Sequence, residues 1–192
     1  MYIRPMPIDE LSAVYKRVRR DFPPIEYPPQ PKMRRNIEWG AMHAQLCEDN
    51  GKDIAYAFTL RSDECNRCML FLYAVEPELR GKGVGSDFLR ALIAERKDVD
   101  GMYAEVEMAE LAGTAEERRI REKRIAFYEA LGFKPVRDLE YHIYGVQMHL
   151  LYRPIACPDM PDADHAMQDA MILYDGILRP WERFNLRMHK IN

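Results

Sequence analysis

The sequence predicts an α/β fold: a mixed central sheet flanked by helices, with a short helical extension after the last strand. Stretches with strand-like and helix-like apolar spacing succeed one another along most of its 192 residues. The run Cys68 to Val75, CMLFLYAV, is almost wholly apolar, as expected of a strand buried on both faces. A helical stretch joins it to a second strand, and such a crossover makes the two strands parallel.

In chain order, Tyr2 to Met6 (YIRPM) reads as a short edge strand. Ile8 to Arg20 places Leu11, Val14, Tyr15 and Val18 at helical spacing, with Asp9 and Glu10 in the first turn. DFPPIEYPPQP, residues 21–31, carries five prolines and cannot be a regular helix or a central strand. It is either a linker or the rim of a substrate mouth. A second helix begins near Pro31, a residue suited to the first helical position. Met42 to Glu48 alternates, Asn50-Gly51 signals a tight hairpin, and Ile54 to Leu60 returns. RSDECNR turns the chain into the apolar strand. DFLRALIAERK then forms an amphipathic helix with Phe88, Leu89, Leu92 and Ile93 inward, and Met102 to Met108 is the next strand. Residues 115–131 form a charged helix that Gly132 is placed to terminate. Two more strands are predicted, over Phe133–Asp138 and Val146–Tyr152. Beyond Pro154 an acidic, proline-containing connector leads to a helix from Ala163 to Ile177. There Met171, Ile172, Tyr174, Ile177 and Leu178 are set to cover a sheet edge or a second copy in a homodimer. The expected division is a domain over residues 1–153 and an extension over 154–192.

Composition narrows the function. The 28 basic and 31 acidic residues leave a net charge of -3, which gives no electrostatic reason to expect nucleic acid or an anionic membrane as partner. No apolar run approaches the roughly 20 residues that span a bilayer. The start lacks the apolar stretch of a secretion signal, so a cytoplasmic location is expected. Cys65 and Cys68 form a single CxxC, while Cys47 and Cys157 stand apart. A structural zinc site usually needs two such pairs, so reduced thiols and no metal are expected. The five histidines show no metal-ligand spacing.

The informative segment runs from the end of the apolar strand into the next helix, Val75-Glu76-Pro77-Glu78-Leu79-Arg80-Gly81-Lys82-Gly83-Val84-Gly85-Ser86. A buried strand ends, and alternating glycines open a helix. Glycine lets the backbone approach a ligand closely. The uncommitted N–H groups of a helix start converge on an anion, with the helix dipole behind them. Arg80 and Lys82 add charge. The product is a cradle for a diphosphate. GxxxxGK[ST] is absent, which removes a nucleotide P-loop, and the third glycine arrives one place too early for GxGxxG.

The pattern that fits is RxxGxG, as Arg80, Gly83 and Gly85, preceded by VxP as Val75 and Pro77. Downstream, Arg124-Ile125-Ala126-Phe127-Tyr128-Glu129-Ala130-Leu131-Gly132-Phe133 resembles A-x-x-x-Y-x-x-x-G-F. In this order and at this separation the two blocks resemble the GNAT N-acetyltransferase superfamily over roughly residues 1–153. The resemblance implies a central sheet with two splayed parallel strands, and acetyl-CoA as co-substrate. Backbone at Ala74 and Val75 would then pair with the pantetheine arm. Amides from Gly81 through Lys82, Gly83, Val84 and Gly85 to Ser86 would hold the pyrophosphate. Tyr128 matches the tyrosine that protonates the departing thiolate; the alternative is that it packs beside Phe127. Where many members carry asparagine and alanine, this chain has Arg121 and Arg124. These either pair with helix acids or, for Arg124, reach a coenzyme phosphate.

An ammonium with a pKa near 10 must lose a proton before it attacks a thioester. Glu105 and Glu107 share one face of a predicted interior strand, where paired carboxylates raise one another's proton affinity. Either is a candidate base, with Glu107 favoured because it lies nearer the strand's C-terminal end; the alternative is an ion pair with Arg121 or Arg124. The expected activity is direct acetyl transfer to a primary amine, on a small molecule or a peptide, in a ternary complex. Acidic residues at the site favour a cationic acceptor. The alternative is a CoA-binding regulatory or partner-binding module without catalysis.

Overall fold

The computed structural model describes residues 1–178 and 180–191. Strand β1 (Tyr2–Pro5) leads through one helical turn into α1 (Leu11–Asp21), and the proline-rich segment separates it from α2 (Gln30–Glu38). Then come β2 (Met42–Asp49), β3 (Lys52–Ser62), β4 (Cys65–Val75), α3 (Val84–Glu95), β5 (Gly101–Glu107) and α4 (Ala115–Ala130). The chain closes with β6 (Lys134–Pro135), β7 (Leu139–Ile143), β8 (Val146–Pro154), α5 (Ala163–Asp175) and β9 (Leu186–Lys190). Among the described residues these strands form one mixed sheet in the order β1-β2-β3-β4-β5-β8-β7-β9, with β6 paired to β8.

The expected α/β architecture is present, and the differences have local causes. The strand expected over Phe133–Asp138 shrinks to the two residues of β6, because Pro135 has no N–H to offer a ladder and Asp138 turns the chain at φ +56°. A new strand, β7, starts immediately after that turn. The tail is more than helical, since β9 pairs antiparallel with β7 along Leu139↔Lys190 to Ile143↔Leu186. The Asn50-Gly51 hairpin agrees with the sequence, with both residues at positive φ.

Two apolar cores lie on opposite faces of the sheet. One, beneath α1, α2 and α5, takes Tyr103 of β5 together with Tyr141, Tyr152, Leu173 and Tyr174. The other, beneath α3 and α4, takes Met102, Ala104 and Val106 of the same strand together with Phe88, Tyr128 and Phe133. The two-residue period of β5 therefore sends Tyr103, Glu105 and Glu107 toward one face and their neighbours toward the other. The apolar face of α5 (Ala163, Ala166, Ala170, Leu173, Tyr174) is buried in its own chain. That face lies against the broad side of the sheet at β3 and β4.

Candidate active site

The parallel pair β4–β5 is in register from Arg67↔Gly101 to Leu70↔Ala104 and then stops. Both strands continue: β4 stays paired to β3 as far as Val75, and β5 stays paired to β8 as far as Glu107. Each strand is thus held on its outer side while the inner edges part. The gap opens a cavity of about 860 Å³, lined by Leu72 to Val75 on one side and Glu105 and Glu107 on the other. An unpaired strand edge buried in protein leaves backbone groups in need of partners, which suits a ligand carrying amides of its own.

At one end of this cavity lies the glycine loop. Gly83 is the N-cap of α3 at φ +85°, a left-handed conformation that a side chain would strain. It caps nothing with a side chain, so the first-turn amides keep their hydrogens for a ligand. Gly85 sits close against the core: a Cβ there would meet Val75 at 3.4 Å and Phe127 at 3.6 Å. The Tyr73 hydroxyl donates to the Gly85 carbonyl at 2.5 Å while its ring stacks on Phe88 and Phe127. Strand, helix start and α4 are locked together by that contact.

The predicted loop residues divide. Gly81, Gly83, Gly85, Ser86 and Arg80 line the cavity, as do Ala74 and Val75. Lys82 is exposed and Val84 packs into the α3/α4 core; neither lines it. The Arg80 guanidinium is already engaged, donating to the Val75 carbonyl at 2.9 Å and to Asp21 at 2.7 Å. It holds the loop to the strand end. Asp21 also accepts from Arg20 and Tyr56. Although burial pushes its proton affinity up, those donors outweigh it and hold the carboxyl below its usual range.

Midway along the gap, Tyr128 enters from α4. Its ring packs edge-on against Phe127 and Phe133, so packing and an open hydroxyl coexist. No group among the described residues hydrogen-bonds that hydroxyl, and burial pushes its pKa up to about 12.

The two glutamates prove unequal. Glu107, favoured by position alone, is bound by Arg121 at 2.9 Å and Arg124 at 3.1 Å. Arg124 lines the cavity, but this pairing commits it to the carboxylate instead of leaving it free for a phosphate. The helix arginines therefore act as the ion-pair alternative expected. Glu105 has no basic partner among the described residues. Its carboxylate accepts from Tyr174 at 2.8 Å to each oxygen and also from Tyr141. Burial raises its pKa to about 7, against the lowering effect of the two phenols.

The far side of the cavity is built from residues that sequence spacing could not single out. The proline-rich segment proves to be a wall of the cavity through Pro23, Ile25 and Glu26, facing Tyr144, Val146 and Met148 of the β7–β8 hairpin. Burial, then the charge of Glu107, raise the proton affinity of Glu26. Glu26, Tyr141, Tyr144 and Tyr174 come from three distant segments, and no local motif marks them.

Elsewhere the four cysteines are free, and desolvation raises the buried thiols of Cys47, Cys65 and Cys68. Among the described residues no group of three or more His, Cys, Asp or Glu side chains is placed to hold a metal ion. No helix among them is long and apolar enough to cross a membrane.

Residues 42–135 match the family model of the GNAT acetyltransferase domain. No curated protein matches the sequence. A protein described as a GNAT-family acetyltransferase from Bacteroides thetaiotaomicron superposes with a TM-score of 0.71 at 19% identity, covering 92% of this chain and 97% of its own. The ribosomal-protein-S18-alanine N-acetyltransferase of Escherichia coli gives 0.61 at 24% identity, with 82% and 96% covered. The dodecameric spermidine N-acetyltransferase of Vibrio cholerae gives 0.61 at 13%, with 81% and 94% covered. At such identities these likenesses speak for the fold. The matched domain contains the parted strands, the glycine loop and Tyr128, and residues 42–135 are a GNAT acetyltransferase domain, of a family whose enzymes use acyl-CoA as donor.

Proposed function

We propose that this protein moves an acetyl group from acetyl-CoA to a primary amine by direct attack within a ternary complex, with Glu105 as base. The observation that carries this reading is the arrangement across the gap between β4 and β5. Tyr128 comes from the α3/α4 core and Glu105 faces the α5 side, so a thioester lying in the gap has a hydroxyl on one flank and a carboxylate on the other. The uncapped start of α3 supports pyrophosphate binding, through amides from Gly81 to Ser86 other than that of Lys82, which donates to the Leu79 carbonyl at 3.4 Å. The inner edge of β4 at Ala74 and Val75 supports the pantetheine arm.

The chemistry rests on proton affinities. An acceptor ammonium enters past Glu26 and gives a proton to Glu105, whose pKa of about 7 makes it a base at neutral pH. The free amine attacks the carbonyl carbon; the C–N bond forms, the C–S bond breaks, and the new amide nitrogen releases its second proton to solvent. A thiol with a pKa of about 8.5 is a better acid than a phenol held near 12. Tyr128 therefore keeps its proton and meets the departing sulfur as a hydrogen-bond donor, until the thiolate is protonated from solvent. Glu26 and Glu105 favour a cationic acceptor, and the open mouth between the proline-rich wall and the β7–β8 hairpin admits a small amine or a peptide end. The E. coli and V. cholerae relatives, named for a protein and a polyamine substrate, illustrate both. The free cysteines suit a reducing cytoplasm.

The test joins a thermal-shift titration with acetyl-CoA to thiol release across a panel of amines. Stabilisation by acetyl-CoA with amine-dependent thiol release supports the enzyme. Stabilisation with no release on any amine supports a CoA-binding module without catalysis.

A further inference from the structure

One buried polar cluster joins Asp169 of α5, outside the family block, to side chains of β4 and β5. Asp169 accepts from the Tyr103 hydroxyl at 2.6 Å, from Arg67 at 2.8 Å and from the Cys65 thiol at 3.2 Å. Such a carboxylate, amid an otherwise apolar helix face, is costly to bury without partners and specific in where it docks. Alanines at 163, 166 and 170 on the same face let the helix approach the sheet closely. Two contacts then run from α5 to β5: Asp169 to Tyr103, and, from the next turn of the helix, Tyr174 to Glu105, two residues further along the strand. The Tyr174 hydroxyl reaches both carboxylate oxygens at 2.8 Å. Tyr141 reaches the same carboxylate from β7, the strand that β9 of the tail covers.

We propose that Tyr174 and Tyr141 are positioning residues for the catalytic carboxylate, and that the C-terminal segment is thereby an integral part of the catalytic machinery. The inference rests on the reading of Glu105 as the base. Two phenol donors fix the carboxylate's orientation toward the gap. They also favour its ionised form against the burial that disfavours it. The other titratable and charged groups facing Glu105 are Glu26 from the proline-rich wall, Tyr144 from the hairpin, Tyr128 from α4, and Glu107 with its two arginines at the end of β5. None of these donates a hydrogen bond to it.

Tyr174→Phe and Tyr141→Phe each remove one hydroxyl and keep the ring. Each change removes one donor to the ionised carboxylate, so it moves the Glu105 titration up by about one pH unit or more. The expected result is an acidic limb of kcat/KM displaced to higher pH. The rate falls roughly tenfold near pH 6 and recovers near pH 9, while acetyl-CoA still stabilises the protein. A parallel carbon-13 NMR titration of glutamate-labelled protein, with the signal assigned through Glu105→Gln, reads the carboxyl without activity. An unmoved NMR titration in both variants, or a rate loss equal at every pH, overturns the positioning role. A displaced NMR titration with an unmoved kinetic limb upholds the phenol contact and removes Glu105 as the base.

Discussion

The two ends of the cavity are made of different materials. At the proposed coenzyme end the cavity-facing groups are backbone amides, presented by glycines in a short stretch between a strand and a helix. At the proposed acceptor end they are side chains, with Glu26, Glu105, Tyr144 and Tyr174 on the cavity wall and Tyr141 behind Glu105, gathered from the proline-rich segment, β5, β7, its hairpin and α5. Backbone geometry depends on a handful of neighbouring residues, while a side-chain constellation depends on how distant elements pack. The first is therefore tolerant of most surface changes and intolerant of a Cβ in the wrong place. The second fails when a single polar atom is removed.

The sharpest way to test that contrast is Glu105→Gln, for which the largest effect is expected. It keeps the shape and the phenol contacts but cannot take a proton, so kcat/KM at neutral pH falls by about 10²–10³, within the usual range for a general base. Acetyl-CoA binding, read by thermal shift, stays intact because the loop is built elsewhere. The same group sets the sign of the pH dependence. Its folded pKa is raised to about 7, and the ionised form is the active one, so wild-type kcat/KM climbs with pH and levels off above about 7. Steady-state rates from acidic to mildly alkaline pH check this; a flat profile through neutrality would remove the assignment.

Tyr128→Phe comes next. Loss of one donor to the departing sulfur lowers kcat by about ten- to a hundredfold, with KM for acetyl-CoA little changed. The packing against Phe127 and Phe133 survives, so thermal stability of the free protein separates this from a packing defect.

How much of this is legible in the sequence divides along the same line. The loop from Arg80 to Ser86 and the block ending at Gly132-Phe133 are local, and their order alone is enough to expect the fold, the donor and Tyr128. The parted strands are implied by that resemblance, and the register that ends at Leu70↔Ala104 agrees. Position along β5 favours Glu107, yet the arginines at 121 and 124 bind that carboxylate, and of the two glutamates Glu105 is the one with no basic partner among the described residues. Tyr141 and Tyr174 are ordinary aromatics in the sequence, the latter read as part of a covering face. Strand β9 escapes a sequence reading because its partner is β7, itself hidden behind Asp138.

The smaller predictions probe the coenzyme end. Gly83 lies at φ +85° and no atom stands within 4 Å of the place a Cβ would take, so the obstacle to a side chain there is backbone conformation and nothing else. Gly83→Val costs about 1–2 kcal/mol of local strain, which raises KM for acetyl-CoA by roughly tenfold and leaves kcat at saturation near the wild-type value. Lys82, between two cradle glycines, should matter least despite its charge. Its side chain is exposed and lines no wall of the cavity, and an exposed charge acting through salt water on a diphosphate is largely screened. Lys82→Ala therefore changes KM for acetyl-CoA by no more than about twofold at physiological ionic strength. A tenfold rise there, matching that of Gly83→Val, would mean that side-chain charge holds the pyrophosphate, and the contrast between a backbone-made end and a side-chain-made end would no longer stand.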